Sequence, residues 1–150
     1  MTATGPSEPD EVLDSPTGWV NEHVRTYVDT AGASGHLYME WPTLLCTTRG
    51  RRSGKFRRTA LIYGRDGDRY LLVASNAGSP QHPAWYLNVV ADPEVAIQVG
   101  SEKFTARART ATAEEKRLLW PTMTAIFPRY DTYQAGTKRN IPLVIVERLG

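Results

Sequence analysis

At 150 residues the chain is long enough for one domain, which at this size buries roughly 68–70% of its unfolded surface. Hydrophobic residues make up 41% and charged residues 23%, ordinary values for a globular protein, and the single cysteine, Cys46, excludes an intrachain disulfide or a cysteine-based metal cluster. The net charge of +2 conceals an asymmetry: residues 1–40 carry seven acidic groups and one basic (Arg25), whereas residues 41–150 carry 17 basic and 9 acidic.

The first stretch, residues 1–14 (MTATGPSEPDEVLD), is acidic and Pro/Gly-bearing with little to bury, and reads as a disordered tail. Ser15-Pro16 has the form of a helix start. Val20, Val24, Tyr27, Val28 and Ala31 follow at helical spacing, and Gly32 supplies a stop. The polar side of that helix carries Glu22 and Asp29 against Arg25 alone, so its attraction to anionic lipid is weak. No apolar run reaches the length of a membrane span, and the N-terminus lacks the basic-then-apolar layout of a secretory signal. The expectation is a cytoplasmic protein, with peripheral contact at the inner face of the membrane as the weaker option.

A strand over 43–49 leads into TTRGRRSGKFRR, residues 47–58, and a second strand follows over 56–65. Arg49, Arg51, Arg52, Lys55, Arg57 and Arg58 therefore crown a hairpin, with Gly50, Ser53 and Gly54 among them as turn residues. Such a cluster repels itself and gains most from a multiply anionic partner, whose phosphate or carboxylate oxygens match the planar guanidinium fork. Nucleic acid, an anionic membrane surface and a phosphorylated cofactor all fit, as does a hairpin tip that is merely solvated. Asp66-Gly67 then turns the chain into a strand over 69–75, completing an expected three-stranded meander.

Residues 76–81 form a loop by composition, and a short helix over 83–91 follows, ended by Asp92-Pro93. Strands at 94–99 and 103–110 form another hairpin around Gly100. Thr112 and Glu115 make a T-x-x-E capping box for a helix whose apolar side bears Leu118, Leu119 and Trp120, and Pro121 and Pro128 are expected to break or kink the helical stretch beyond Trp120. The closing IPLVIVERL is apolar enough for the middle of a sheet. This order is mainly β (α+β) and favours a small antiparallel barrel with helical decorations over a doubly wound fold.

The familiar catalytic spacings are missing: there is no G-x-S-x-G, H-E-x-x-H, P-loop or G-x-G-x-x-G. His23, His36 and His82 stand at unrelated points, so no metal site is expected. Without a nucleophile or a metal, the chemistry falls to a bound cofactor.

Five stretches in order, T-T-R-G-R-R-S-G-K-x-R-R, V-A-S, H-P-A-W-Y-L-N, P-x-Y-x-x-Y-Q and a final I-P strand, resemble the deazaflavin-dependent nitroreductase family. These are actinobacterial enzymes that use reduced coenzyme F420 (8-hydroxy-5-deazaflavin), and the resemblance covers about residues 41–148. It implies a single flavin-reductase-like split β-barrel over 15–150, of about six mostly antiparallel strands plus the N-terminal helix. It implies hydride transfer to a small conjugated acceptor: a quinone, a nitroaromatic or an activated enone. By position, Arg51, Arg52 and Ser53 would meet the coenzyme's phosphate and glutamate tail, with Arg58 and Tyr63 lining the groove. Val73, Ala74, Ser75 and Asn76 would pass beside the ring, and Ala84, Trp85, Tyr86, Leu87 and Asn88 would close over tail and ring. Tyr130 would contact coenzyme and Tyr133 the acceptor, as a possible proton donor.

An FMN-dependent oxidoreductase on the same barrel is the rival enzyme, though a single phosphate leaves much of the arginine cluster unused. A nucleic-acid-binding module is the rival from another class. Against it, the acidic first 40 residues offset most of the basic charge, so no nucleic acid is expected. The oligomeric state is open.

Overall fold

The computed structural model describes residues 41–149, together with the backbone of two short strands at 12–14 and 37–38. In chain order the strands are β1 (Val12–Asp14), β2 (Leu37–Tyr38), β3 (Trp41–Arg49), β4 (Phe56–Ile62), β5 (Gly64–Asp66), β6 (Arg69–Val73), β7 (Glu94–Val99), β8 (Glu102–Thr110) and β9 (Leu143–Arg148). The helices are α1 (Ala84–Ala91), α2 (Ala113–Ile126) and α3 (Arg129–Ala135), and Asn76–Gly78 form a single tight turn. The sheet runs β1-β4-β3-β7-β8-β9-β6-β5, with β2 added to β3.

From β4 to β5 that path is seven antiparallel strands, against the six or so expected. Its two ends, β4 and β5, are consecutive in the chain and separated only by Tyr63, yet no ladder among the described residues joins β4 to β5 or β6. The barrel is closed by chain continuity and side chains rather than by hydrogen bonds, which makes it a split β-barrel. Inside the split, the Tyr63 and Tyr70 rings lie 5.7 Å apart, and the Tyr63 N–H donates to the Pro42 carbonyl at 3.1 Å.

The expected three-stranded meander does not form. Hairpins β3/β4 and β5/β6 are both present, but β6 pairs with β9 and the second partner of β3 is β7. The expected strand 56–65 breaks at Tyr63 into β4 and β5, and the break allows the chain to leave one end of the sheet and enter the other. At Gly64, a notional Cβ would stand 2.5 Å from Met123 Sδ and 3.2 Å from Ile126 Cδ1, so the missing side chain lets α2 lie directly on β5.

Val12–Asp14 pair in parallel with Phe56–Arg58, so the expectation of a disordered tail over 1–14 does not hold for these three residues. Val12 and Leu13 are strand formers and cover a β4 edge that would otherwise leave its backbone groups unpaired. The expected helix after Ser15 lies outside the described residues.

Two apolar clusters sandwich the middle of the sheet, and the two-residue period of the strands sorts side chains between them. Tyr70, Leu72 and Ala74 enter the barrel interior with Leu44 and Phe104, whereas Leu71 and Val73 face outward under α2 and α3, against Met123, Phe127 and Tyr130. On β9, Val144 and Val146 go inward and Leu143 and Ile145 outward. A strand buried on both faces must be apolar throughout, which explains the closing run, and β9 does lie centrally, between β8 and β6. Cys46 is buried in the interior, and its thiol is pushed up to about 12 by desolvation, consistent with an inert small hydrophobe.

Pro121 does not break its helix. α2 runs continuously over 113–126 and ends at Phe127, and α3 begins after Pro128. Pro121 cannot donate to the Arg117 carbonyl, but both residues are exposed, so water can satisfy that carbonyl, while Met123 is fully buried on the opposite side of the helix. The capping box forms as expected: Thr112 Oγ1 accepts from the Glu115 N–H at 3.1 Å and Glu115 Oε1 accepts from the Thr112 N–H at 2.9 Å.

Candidate functional site

The hairpin between β3 and β4 is a compact turn. The Gly50 N–H donates to the Lys55 carbonyl at 2.7 Å, the Gly54 N–H to the Gly50 carbonyl at 2.9 Å, and the Lys55 N–H to Ser53 Oγ at 3.1 Å. Ser53 is thus committed to the turn. Arg49 is also held: its guanidinium donates to the Gly54 carbonyl, pairs with Asp92 at 3.6 Å and lies 4.6 Å from the Phe56 ring centre. Arg51, Arg52, Lys55 and Arg57 are exposed, and among the described residues none has a carboxylate within ion-pair distance. Arg58 is half-buried on β4.

Helix α1 carries the hairpin. Asn88, 4% exposed, accepts through Oδ1 from both the Arg51 N–H at 3.1 Å and Arg51 Nη1 at 3.0 Å, while its Nδ2 donates to Thr48 Oγ1 at 3.2 Å. Asn88, a residue expected to close over the coenzyme, has its carboxamide engaged beneath the hairpin. Ala84 is exposed, Trp85 and Leu87 are half-buried against the barrel interior, and Tyr86 is buried, with its hydroxyl 2.7 Å from Thr110 Oγ1.

The V-A-S loop leaves β6 on a left-handed path. Asn76 has φ 48°, Ala77 φ 54° and Gly78 φ 79°, and the turn is closed by the Gly78 N–H to the Ser75 carbonyl at 2.9 Å and the Ser79 N–H to the Asn76 carbonyl at 3.0 Å. Gly78 presses on α3: a notional Cβ would lie 3.3 Å from Tyr133 Cα. Asn76 Nδ2 donates to the Gln81 carbonyl at 3.0 Å, leaving its side chain exposed at the rim.

An aromatic wall stands beside this loop. Phe127 and Tyr130 have ring centres 4.9 Å apart, Phe127 and Tyr133 6.1 Å, and Trp41 meets Phe127 edge-on at 4.8 Å. Tyr130 is 5% exposed, and burial pushes its phenol well above the ordinary range. Tyr133 is only half-buried, so it is the tyrosine that reaches the surface.

The structure therefore gathers Val73, Tyr130 and Tyr133 on one side of the sheet, with Ile62, Trp41 and Phe127. Tyr63 and Ala74 fall on the other side, in the barrel interior, because they alternate with Ile62 and Val73 along their strands. Ile62, on the strand expected to line the groove, is the β4 residue that packs on the side of the tyrosines. Sequence reading also passed over Arg139. Its Nε donates to the Ser79 carbonyl at 2.8 Å, Nη1 to the Ala74 carbonyl at 3.3 Å and Nη2 to the Ser75 carbonyl at 2.6 Å, and Nη1 lies 3.0 Å from His82 Nδ1. Backbone acceptors carry no letter in the sequence, so no signal there pointed to it.

A family described as F420H(2)-dependent quinone reductase matches residues 19–148. The chain belongs to this family. It is 38% identical over 130 residues to an F420H(2)-dependent quinone reductase of Mycobacterium tuberculosis, covering 84% of this chain and 87% of the relative. Among solved structures it is similar to an F420-H2 dependent reductase, FDR-A, with 40% identity and a TM-score of 0.66 over 71% of this chain and 94% of that one. A chain described as a domain-swapped dimer matches with 37% identity and a TM-score of 0.68, covering 89% of this chain and all of that one. In the terms of this family, the exposed hairpin cations have the charge that suits an anionic coenzyme. The fit rests on the donor set: several exposed cations with no carboxylate within ion-pair distance among the described residues, on a turn held by the buried amide of Asn88.

Proposed function

We propose that this chain is a coenzyme F420-dependent reductase whose acceptor is a quinone. The observation that carries this reading is the hairpin, where Arg51, Arg52, Lys55 and Arg57 stand exposed, without carboxylate partners among the described residues, on a turn fastened by Asn88. A phosphodiester followed by several glutamates is a long polyanion and can satisfy such a row, whereas FMN offers one phosphate. Coenzyme F420, when bound in its reduced form, supplies the hydride and with it both electrons.

The chain's own residues bind, orient and protect. Arg51 and Arg52 hold the tail, and Arg58 stands farther along β4. Ile62, Val73 and the turn at 75–78 wall the ring pocket, with Trp85 and Leu87 on α1 at the interior side. In this reading Tyr133, half-buried beside Phe127, borders the acceptor and donates a proton to the reduced quinone oxygen, so that hydride plus proton complete the hydroquinone. Nitroaromatics and activated enones are further acceptors of the same chemical kind. No helix among the described residues is long and apolar enough to cross a membrane.

The test is a fluorescence titration of coenzyme F420 and of FMN, followed by anaerobic quinone reduction with the reduced coenzyme. Tighter binding of F420, weakening with salt, is the expected result. Equal or tighter FMN binding overturns the reading.

A further inference from the structure

One guanidinium organises the turn that the coenzyme ring is expected to meet. Arg139, in the segment just before β9, directs four contacts at residues 57 to 65 positions earlier in the chain: three carbonyls, those of Ala74, Ser75 and Ser79, and the imidazole of His82. Between those carbonyls lie Asn76 and Ala77, non-glycine residues in the left-handed region, where an L side chain crowds the following carbonyl. Such a conformation persists only when its surroundings over-determine it. Here Arg139 supplies that constraint from one side and the Tyr133 backbone against Gly78 from the other.

We infer that Arg139 is a positioning residue for the coenzyme groove: with neutral His82 it locks the left-handed turn at Asn76–Gly78 against Tyr133 and so sets the wall of the ring pocket. The inference rests on the functional reading above. A guanidinium donates only, so His82 Nδ1 must be the acceptor, and the proton of the neutral ring sits on Nε2. Lysine cannot replace it, since a single ammonium cannot span three carbonyls and a ring nitrogen in one plane.

The same contact makes the lock sensitive to acid. Protonated His82 would turn a donor toward a donor and set two cations side by side. The groups around His82 do not relieve this: Arg139 faces it, the Tyr86 ring from α1 lies 4.9 Å away, and Lys116 from α2, Thr110, Thr112 and Asn140 line the same cleft. Among the described residues no carboxylate lines that cleft, which has a volume of about 200 Å³. Desolvation first, and Arg139 second, hold the His82 pKa below its ordinary 6.5. A lowered histidine binds fewer protons folded than unfolded, so the lock is complete above about 6.5 and is lost as pH falls through the folded value.

The experiment uses the full chain and three measurements: coenzyme F420 affinity by fluorescence across pH, hydrogen exchange at the Gly78 and Ser79 amides without coenzyme, and melting temperature. Arg139→Lys should weaken coenzyme binding roughly 10- to 100-fold, the scale for lost charge-assisted hydrogen bonds, and should speed exchange at both amides. His82→Asn keeps an acceptor near the Nδ1 position but does not titrate, so, whatever its affinity at neutral pH, it should lose the acid limb of the affinity profile. Unchanged affinity in Arg139→Lys overturns the inference, whether or not exchange accelerates. If that variant does not fold, an acid limb that persists in His82→Asn overturns it. Wild-type protein that binds no coenzyme at any pH would instead overturn the functional reading, and this inference with it, an outcome distinct from wild-type binding that the variants leave untouched.

Discussion

Asn88 and Arg51 are 37 residues apart, yet one buried amide oxygen of Asn88 accepts from both the backbone and the guanidinium of Arg51, at 3.1 and 3.0 Å. The pair fastens the basic hairpin to α1 and orients the exposed Arg51. An amide acceptor does this without bringing a negative charge that would compete with an anionic ligand.

Asn88→Ala should therefore show two losses at once. The Arg51 N–H and Thr48 Oγ1 lose a partner in a buried setting, a cost of about 1–3 kcal/mol in stability. Coenzyme affinity should fall as well, because the hairpin loses its anchor. Chemical denaturation and fluorescence titration measure the two, and a variant destabilised but binding normally would show that the anchor serves folding alone.

Arg52 should give the opposite split. It is exposed and without a carboxylate partner, so Arg52→Ala should alter stability by less than about 0.5 kcal/mol. Its loss should cost roughly 1.5–3 kcal/mol of coenzyme affinity at low salt, and less as salt rises. Titrations of wild type and variant at two ionic strengths decide whether the hairpin is a ligand site or a solvated tip.

The two tyrosines separate by burial. Tyr130 is a core residue between Trp120 and Phe127, so Tyr130→Ala should destabilise the fold by about 3–5 kcal/mol, whatever it does to coenzyme. Tyr133→Phe keeps the ring and removes the hydroxyl. Coenzyme affinity should hold while single-turnover quinone reduction slows, by about 10²–10⁴-fold if the phenol is the proton donor. An unaltered rate assigns the proton to water.

Acid should release the start of α2. Glu115 is held at about 2 against an ordinary 4.5, first by its hydrogen bonds from Arg109 and then by the Thr112 N–H. A carboxylate lowered in the folded state contributes stability that is full above 4.5 and is lost as pH falls toward about 2. Arg109→Met should thus lower the melting temperature at neutral pH and converge with wild type near the acid end. Parallel curves across that window would show the ion pair to be energetically idle.

Local chemistry is legible in a sequence because its partners are a few letters apart. Asp66-Gly67, the turn around Gly100 and the Arg-rich hairpin each announced two antiparallel strands, and Thr112 with Glu115 announced a helix start; all four are present. The row of motifs from the hairpin to the final strand also carried the family. What the order of letters did not hold is who pairs across the sheet. The β3–β7 and β6–β9 ladders depend on which apolar faces can be buried together, and they split the expected meander. Two-residue alternation, together with the break at Tyr63, then set Ile62 on the side of Tyr133 and Tyr63 in the barrel interior. Pro121 stayed helical because it and Arg117, whose carbonyl it orphans, are exposed to water, a fact of exposure rather than of residue type. Arg139 was invisible for the plainest reason: three of its partners are main-chain carbonyls 60 or more residues away, and only folding brings them within reach of one guanidinium.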